Sequence, residues 1–436
     1  MMKPPFCGCL LYTSPEYIKS AACNAINAGK THYSSNAGLV ELRKIVAEKV
    51  RKETSIDYDS DSEVMITVGA MEGIFLTLCA LIDPEDEVII PSPYWINYVH
   101  MTEMLGGKPV LVEADETTDF VVSAKKIEAA VSDKTVAIII NSPNNPTGTV
   151  YDKDTLAQIC QLSYEKNITI IFDECYKSLL FDDADFTSIL EFPDMKEHSV
   201  IVNSCSKRYA MTGWRVGYLV GPSEFISQLP KLQENIVACT SLPSQYAAIE
   251  ALKNDDKFAD AMRDEFEKRR NLLVSKINAV EGLSCKSPKG TFYVLVNIKE
   301  TGLKSEDFSY SLLEKAHVAV VPGITYGEAC EGYVRMAFTL NESKITEGVL
   351  RINNFIQLQR GKNEKGINAV SYTHLDVYKR QERLVLQNLH YVLYIIVSFQ
   401  QRVKVSAFQR LHNLHYVFIP AAINVRLPLT TKIKAH

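Results

Sequence analysis

Five short, nearly all-apolar runs mark the first half of this chain: VMITV at 64–68, VII at 88–90, VAIII at 136–140, ITIIF at 168–172 and SVIVN at 199–203. A strand with one wet face alternates apolar and polar residues. A run that is apolar throughout is buried on both faces, as in a mostly parallel sheet covered by helices. The segments between supply those helices. Leu39, Leu42, Val46 and the Lys49/Val50 position follow one face after Asn36-Ala37-Gly38, and Leu156, Ile159 and Leu162 do so before ITIIF. The charged run 255–270 reads as a long, largely solvent-facing helix entering a smaller α/β domain, with strands expected at YVLVNI (293–298), VAVV (318–321) and YVRMAF (333–338). A chain of 436 residues has room for both parts.

Composition narrows the function classes. A net charge of -5 gives no electrostatic reason to expect nucleic acid or an anionic membrane as partner. The ten cysteines are scattered without a CxxC pair or a metal-ligand spacing, which fits free thiols in a reducing cytosol and no metal site. No apolar run reaches the roughly 18–20 residues that cross a bilayer, so the chain is read as cytoplasmic. The charge is unevenly spread: residues 367–436 hold nine Lys/Arg against two Asp/Glu, no glycine and two copies of NLHYV. Together with VSYTHLDVYKRQ at 370–381, this marks the tail as atypical and foreign to the rest.

Ligands of open α/β sheets bind beyond the C-terminal strand ends, and four loops there have unusual content. VMITV is followed by Gly69-Ala70-Met71-Glu72, opening a helix whose first amides suit a phosphate, although such a glycine alone is only a turn. VAIII leads into NSPNNPTG, and ITIIF into Asp173-Glu174. No strand is followed by GxGxxG and no GxxxxGK[ST] occurs, so dinucleotide and P-loop readings lack their fingerprints. The fourth loop, SCSKRYAMTGWRVGY at 204–218, places Ser204, Ser206, Lys207 and Arg215 within twelve residues.

This last string, with NSPNNPTG and DECY, resembles the pyridoxal-phosphate-dependent aminotransferases of fold type I, class I/II, in particular the bacterial aspartate aminotransferases. The order of motifs agrees: ELR (41–43), VGAMEG (68–73), SPYW (92–95), NPTG (145–148), DECY (173–176), the lysine segment, then YVRMAF. The resemblance spans about 15–360. It implies a large α/β domain with a mostly parallel seven-stranded sheet flanked by helices, plus a smaller α/β domain. The division expected is a non-native or altered N-terminus at 1–14, an N-terminal segment of the small domain and interface at 15–35, a large cofactor-binding domain at 36–254, a small domain at 255–366 and the atypical, non-native tail at 367–436.

The resemblance also implies roles. Lys207 matches the lysine that holds pyridoxal 5'-phosphate covalently and moves the proton between Cα and the cofactor's C4′. Asp173 matches the partner of the pyridine nitrogen, Tyr176 and Asn145 the pair at the ring's 3′-oxygen, and Trp95, with Tyr94 as rival, the aromatic on the ring face. Ser204, Arg215 and the amides of Ala70 and Met71 match the phosphate site, with Tyr33 reaching in from the other subunit of a homodimer. Arg335 matches the residue that binds the substrate's α-carboxylate, alongside Asn145. Trp214 is expected to be structural. The implied reaction is ping-pong amino transfer from an L-amino acid, best matched to aspartate, to a 2-oxo acid such as 2-oxoglutarate. A C–S β-lyase or synthase on the same scaffold, or an impaired cofactor-binding homologue, is the alternative. Two departures stand out: MMKPPFCGCLL replaces the family's GxPDF-like segment, and PGITYG has Tyr326 where phenylalanine is common, expected at the pocket rim.

Overall fold

The structure, a computed structural model, describes residues 13–254 and 256–364; the expectations for residues 1–12 and 367–436 fall outside them. After helices α1 (Glu16–Asn27) and α2 (Val40–Thr54), the chain builds a seven-stranded sheet. Its strands are β1 (Val64–Thr67), β2 (Glu87–Ser92), β3 (Lys108–Glu113), β4 (Thr135–Asn141), β5 (Thr169–Asp173), β6 (Ser199–Ser204) and β7 (Gly217–Val220), in the spatial order β1-β7-β6-β5-β4-β2-β3. Only β7 is antiparallel, to β1 on one side and β6 on the other. All five apolar runs are strands, and their burial explains their composition. Ile138, Ile140, Ile170, Ile171 and Phe172 have almost no exposed surface, and each such side chain contributes about 1.5–3 kcal/mol of burial free energy before ordering costs.

Helix α3 (Gly69–Leu81) follows β1 and buries Ile74, Leu76 and Leu78 beside β6 and β7. Helix α4 (Asn97–Met104) follows β2 and buries Tyr98 and Met101. These two helices carry the residues that reach the strand ends from the side.

A second, antiparallel sheet holds β8 (Tyr293–Asn297), β9 (Val321–Pro322) and β10 (Tyr333–Ala337), in the order β8-β10-β9. Val294, Val296, Val334 and Met336 pack one face into a core with Phe266, Phe308 and Phe355 of three helices. By strand alternation Leu295, Tyr333 and Arg335 lie on the other face. Two expectations change here. VAVV is not a strand through 318–321: only Val321, with Pro322, joins the ladder, while Val318 and Val320 pack half-buried against the core without pairing. The helix Asp256–Asn278 is not largely solvent-facing. Ala259, Met262, Phe266, Arg269, Arg270, Leu273 and Ile277 form a buried stripe. The charge count hid it because two of its members are arginines, one of which, Arg270, is neutralised by Asp182 at 2.7 Å.

Candidate active site

Three adjacent parallel strands end in Asn141, Asp173 and Ser204, and the site grows from these ends. Asn141 lies in register beside Asp173. Its side-chain amide donates to the Asp173 carbonyl (3.0 Å) and its Oδ1 accepts the Asn145 N–H (2.8 Å), pinning the NSPNNPTG loop against the DECY turn. The Asp173 carboxylate accepts the Tyr98 hydroxyl on Oδ2 (2.7 Å) and the Cys175 N–H on Oδ1 (2.9 Å). Burial pushes this carboxyl above the usual range, against the opposing pull of those two donors and of Lys207. A buried carboxylate held this way is poised to take a cationic partner.

Lys207 sits on the single helical turn Cys205–Arg208 that follows β6, capped by the Ser204 side chain. Its Nζ lies 5.3 Å from the centre of the Phe292 ring and 5.6 Å from that of Tyr176. Lys177 shows what a structural lysine looks like in the same neighbourhood: it is ion-paired to Glu174 (2.6 Å) and Glu53 (2.9 Å), which together raise its pKa despite burial. Among the described residues the Lys207 amine has no such carboxylate clamp, and it lines the cavity instead. Tyr176 is buried, and burial first, then neighbouring Tyr293, pushes its phenol well up, so it stays a protonated hydrogen-bonding group.

A group of donors that could hold an anion forms where α3, β6 and β7 meet. Gly69 has a φ of 78°, opening α3 with amides that lack helical partners. Arg215, itself at a φ of 54°, is tethered to the carbonyls of Thr212 (3.0 Å) and Val68 (3.4 Å). A Cβ on Gly69 would strike its guanidinium, and one on Gly217 would lie 2.6 Å from the Ala70 nitrogen. The backbone thus closes in around Arg215, Ser204 and the first amides of α3.

At the opposite end Arg335 Nη1 donates to Asn145 Oδ1 (2.8 Å). Its guanidinium faces the rings of Tyr293 (4.0 Å) and Tyr326 (5.0 Å). Tyr326 is buried against Arg335, not placed at a rim.

One cavity of about 280 Å³ is lined by Ala70, Met71, Trp95, Asn145, Asp173, Tyr176, Ser204, Lys207, Arg215 and Arg335. Ten of the eleven residues singled out in the sequence therefore share one space; Tyr33, 82% exposed, does not line it. Trp95, rather than Tyr94, faces the cavity, its ring edge-on to Tyr98 at 5.3 Å. Trp214 is indeed a structural contact, donating to Ser14 Oγ at 2.9 Å. Sequence reasoning missed Tyr98, Asn141 and Tyr293. Tyr98 stands in the first turn of α4, three residues after Trp95, and Asn141 closes its strand as Asp173 closes the next.

The cavity suits a flat molecule with a dianionic end and a ring nitrogen. Arg215, Ser204 and helix amides could hold the first, buried Asp173 could face the second, and Lys207 lines the same cavity. Among the described residues no group of three or more His, Cys, Asp or Glu is placed to hold a metal, and no helix is long and apolar enough to cross a membrane.

Comparison with known proteins agrees with this geometry. Residues 8–352 match the family model of class I and II aminotransferases. The aromatic-amino-acid aminotransferase 2 of Thermococcus litoralis is 39% identical over 348 residues, covering 79% of this chain and 89% of that protein. The aspartate aminotransferase of Pyrococcus abyssi is 38% identical over 348 residues, with the same coverage. The crystal structure of the aromatic aminotransferase from Pyrococcus horikoshii superimposes with a TM-score of 0.78 at 38% identity, covering 83% of this chain and 95% of that one. The fold is a two-sheet α/β architecture with a cavity lined by Lys207 and the buried Asp173. The chain belongs to the class I/II aminotransferases, pyridoxal-phosphate-dependent enzymes of fold type I that act on amino acids and 2-oxo acids.

Proposed function

We propose that the protein transfers the amino group of an L-amino acid to a 2-oxo acid in two half-reactions, with Lys207 as the residue that holds the cofactor and moves the proton. The observation that carries this is the delivery of Asp173 and Lys207 from neighbouring parallel strands into one cavity that Arg335 enters from the second sheet. When bound, pyridoxal phosphate supplies a carbonyl carbon that condenses with amines and a ring that withdraws electrons from the substrate's Cα. The residues do the rest. Asp173 keeps a proton on the ring nitrogen, Tyr176 and Asn145 hydrogen-bond the ring oxygen, and Trp95 covers a ring face. Arg215, Ser204 and the amides of Ala70 and Met71 hold the phosphate. The Lys207 amine would be the group that takes up and returns the substrate's Cα proton. Arg335 holds the α-carboxylate, fixing which Cα bond faces the lysine.

Aspartate is the proposed donor and 2-oxoglutarate the proposed acceptor, supported by the SPYWINY and YAMTGWRVGY motifs and by the name of the Pyrococcus abyssi relative. The Thermococcus litoralis relative is named for aromatic amino acids. With Arg335 given to the α-carboxylate, Arg215 to the phosphate and Lys207 to the cofactor, a distal carboxylate finds no further arginine or lysine among the described lining residues. A homodimer is proposed as well, in which the exposed Tyr33 reaches the phosphate held by the partner. A panel of amino donors with 2-oxoglutarate, followed through the cofactor's absorbance, tests the reaction: 2-oxo acid formed without ammonia or thiol supports transfer, and stoichiometric ammonia or thiol shows a lyase. A faster rate with phenylalanine than with aspartate would change the donor and leave the reaction standing.

A further inference from the structure

Arg335 stands on a strand whose support is uneven. On one side β10 pairs with β8 along its whole length, but on the other it meets only the two-residue β9. The loop after β3 supplies what that short strand does not. Glu116 Oε2 accepts from the Tyr333 hydroxyl (2.7 Å) and from the Asn297 side-chain amide (3.4 Å). Tyr333 and Arg335 are two apart on β10 and so share its face. Lys299 Nζ donates to the Tyr333 hydroxyl (3.2 Å), and Lys286 pairs with Asp119 while donating to the Glu116 carbonyl (3.0 Å). Phe120 packs into the small apolar cluster of Leu295, Tyr326, Cys330 and Tyr333, its ring edge-on to Tyr333 at 5.7 Å. The Thr149 hydroxyl donates to the Asp119 carbonyl (2.8 Å), so the same loop also touches the segment that carries Asn145.

Asp119 and Phe120 both have a positive φ, 51° and 59°, a conformation unfavourable for non-glycine residues and especially for a bulky aromatic. Such a backbone persists where surrounding contacts hold it, and here Phe120 is held by the cluster on the second sheet and Asp119 by Thr149 and Lys286.

We propose that Glu116 and Phe120 are positioning residues for Arg335: they clasp the face of the second sheet that bears the arginine and set where a substrate carboxylate is held. This rests on the reading of Arg335 as the carboxylate site. Neither residue lines the cavity, so their effect passes through β10 and through Tyr326, which belongs to the cluster Phe120 packs against and faces Arg335.

The test uses full-length cofactor-loaded protein and the variants Glu116→Ala, Glu116→Gln, Tyr333→Phe, the Glu116→Ala/Tyr333→Phe double and Arg335→Leu. Steady-state KM and kcat for an amino donor are measured beside the Kd of a non-reacting carboxylic acid, the donor without its amino group, and beside cofactor retention and melting temperature. Glu116→Ala is expected to raise KM and the acid's Kd about five- to tenfold, with kcat within about twofold and cofactor retention unchanged. Tyr333→Phe should shift both in the same direction, and the double variant should lose less than the product of the two single losses, because all three variants break the Glu116–Tyr333 bond. Glu116→Gln, which keeps an acceptor oxygen, should recover most of the loss. An unchanged Kd in Glu116→Ala, an equal loss in Glu116→Gln, or a parallel loss of cofactor would overturn the clasp. If Arg335→Leu itself leaves KM and Kd unchanged, the carboxylate-site reading fails; if it raises them while Glu116→Ala does not, only the clasp fails.

Discussion

Replacing Gly217 with alanine should loosen the end of the cavity proposed to hold the phosphate. A Cβ there would lie 2.6 Å from the Ala70 nitrogen, 2.6 Å from the Gly69 carbonyl carbon and 2.8 Å from the Asn203 oxygen. All three are backbone atoms that cannot rotate aside, so either β7 or the start of α3 must move. Overpacking of this kind costs about 1–3 kcal/mol. If the shift withdraws one charge-assisted hydrogen bond from a phosphate, a further ~1.5–3 kcal/mol of binding is lost, which is about a ten- to hundredfold rise in the cofactor's Kd. Gly213, two residues before Arg215, is the internal control: a Cβ there meets nothing within 4 Å, and its substitution should stay within about 0.5 kcal/mol of wild type. The assay is thermal unfolding of the apo-protein together with cofactor titration. Unaltered melting and Kd in Gly217→Ala, or equal losses in Gly213→Ala, would refute the view that the backbone closes tightly on the anion site.

Burial raises the Asp173 carboxyl, so between the ordinary carboxylate range and the raised value the folded apo-protein binds a proton that the unfolded chain releases, and stability falls as pH rises through that window. Asp173→Asn removes this titration. The unfolding free energy of the wild-type apo-protein relative to the variant should therefore decline from about pH 4 upward and then level off, and a gap that widens with pH would contradict the burial argument. For the proposed cross-subunit role of Tyr33, mixing refolded Lys207→Ala and Tyr33→Ala chains should regain activity that neither homodimer has in full. The mixed dimer pairs an intact lysine with the partner's intact tyrosine. No gain on mixing would remove Tyr33 from the site.

Much of the large sheet is legible in the sequence because strands buried on both faces cannot hide. The two strands that escape have physical reasons to. The edge strand β3 reads KPVLVE, with Leu111 43% exposed and a proline at its second position, which is tolerated at an edge and looks unlike a buried run. β7 has four residues, and it lies inside the lysine segment where motif and strand overlap. The site's principal residues are legible as motifs because each belongs to a short contiguous string. Tyr98 and Tyr293 are not, since their importance comes from what they touch: Tyr98 matters through the Asp173 carboxylate 75 positions away, and Tyr293 through the Arg335 guanidinium. Glu116 is invisible for the same reason, 217 positions from the Tyr333 hydroxyl it accepts.

The most direct test of the account is to load the full-length protein with pyridoxal phosphate, reduce it with borohydride and locate the modified residue by peptide mass analysis. The cofactor's mass is expected on the peptide that contains Lys207, with Lys177, held between Glu174 and Glu53, left unmodified. Label on Lys177 or on any other lysine, with Lys207 intact, would contradict the central assignment.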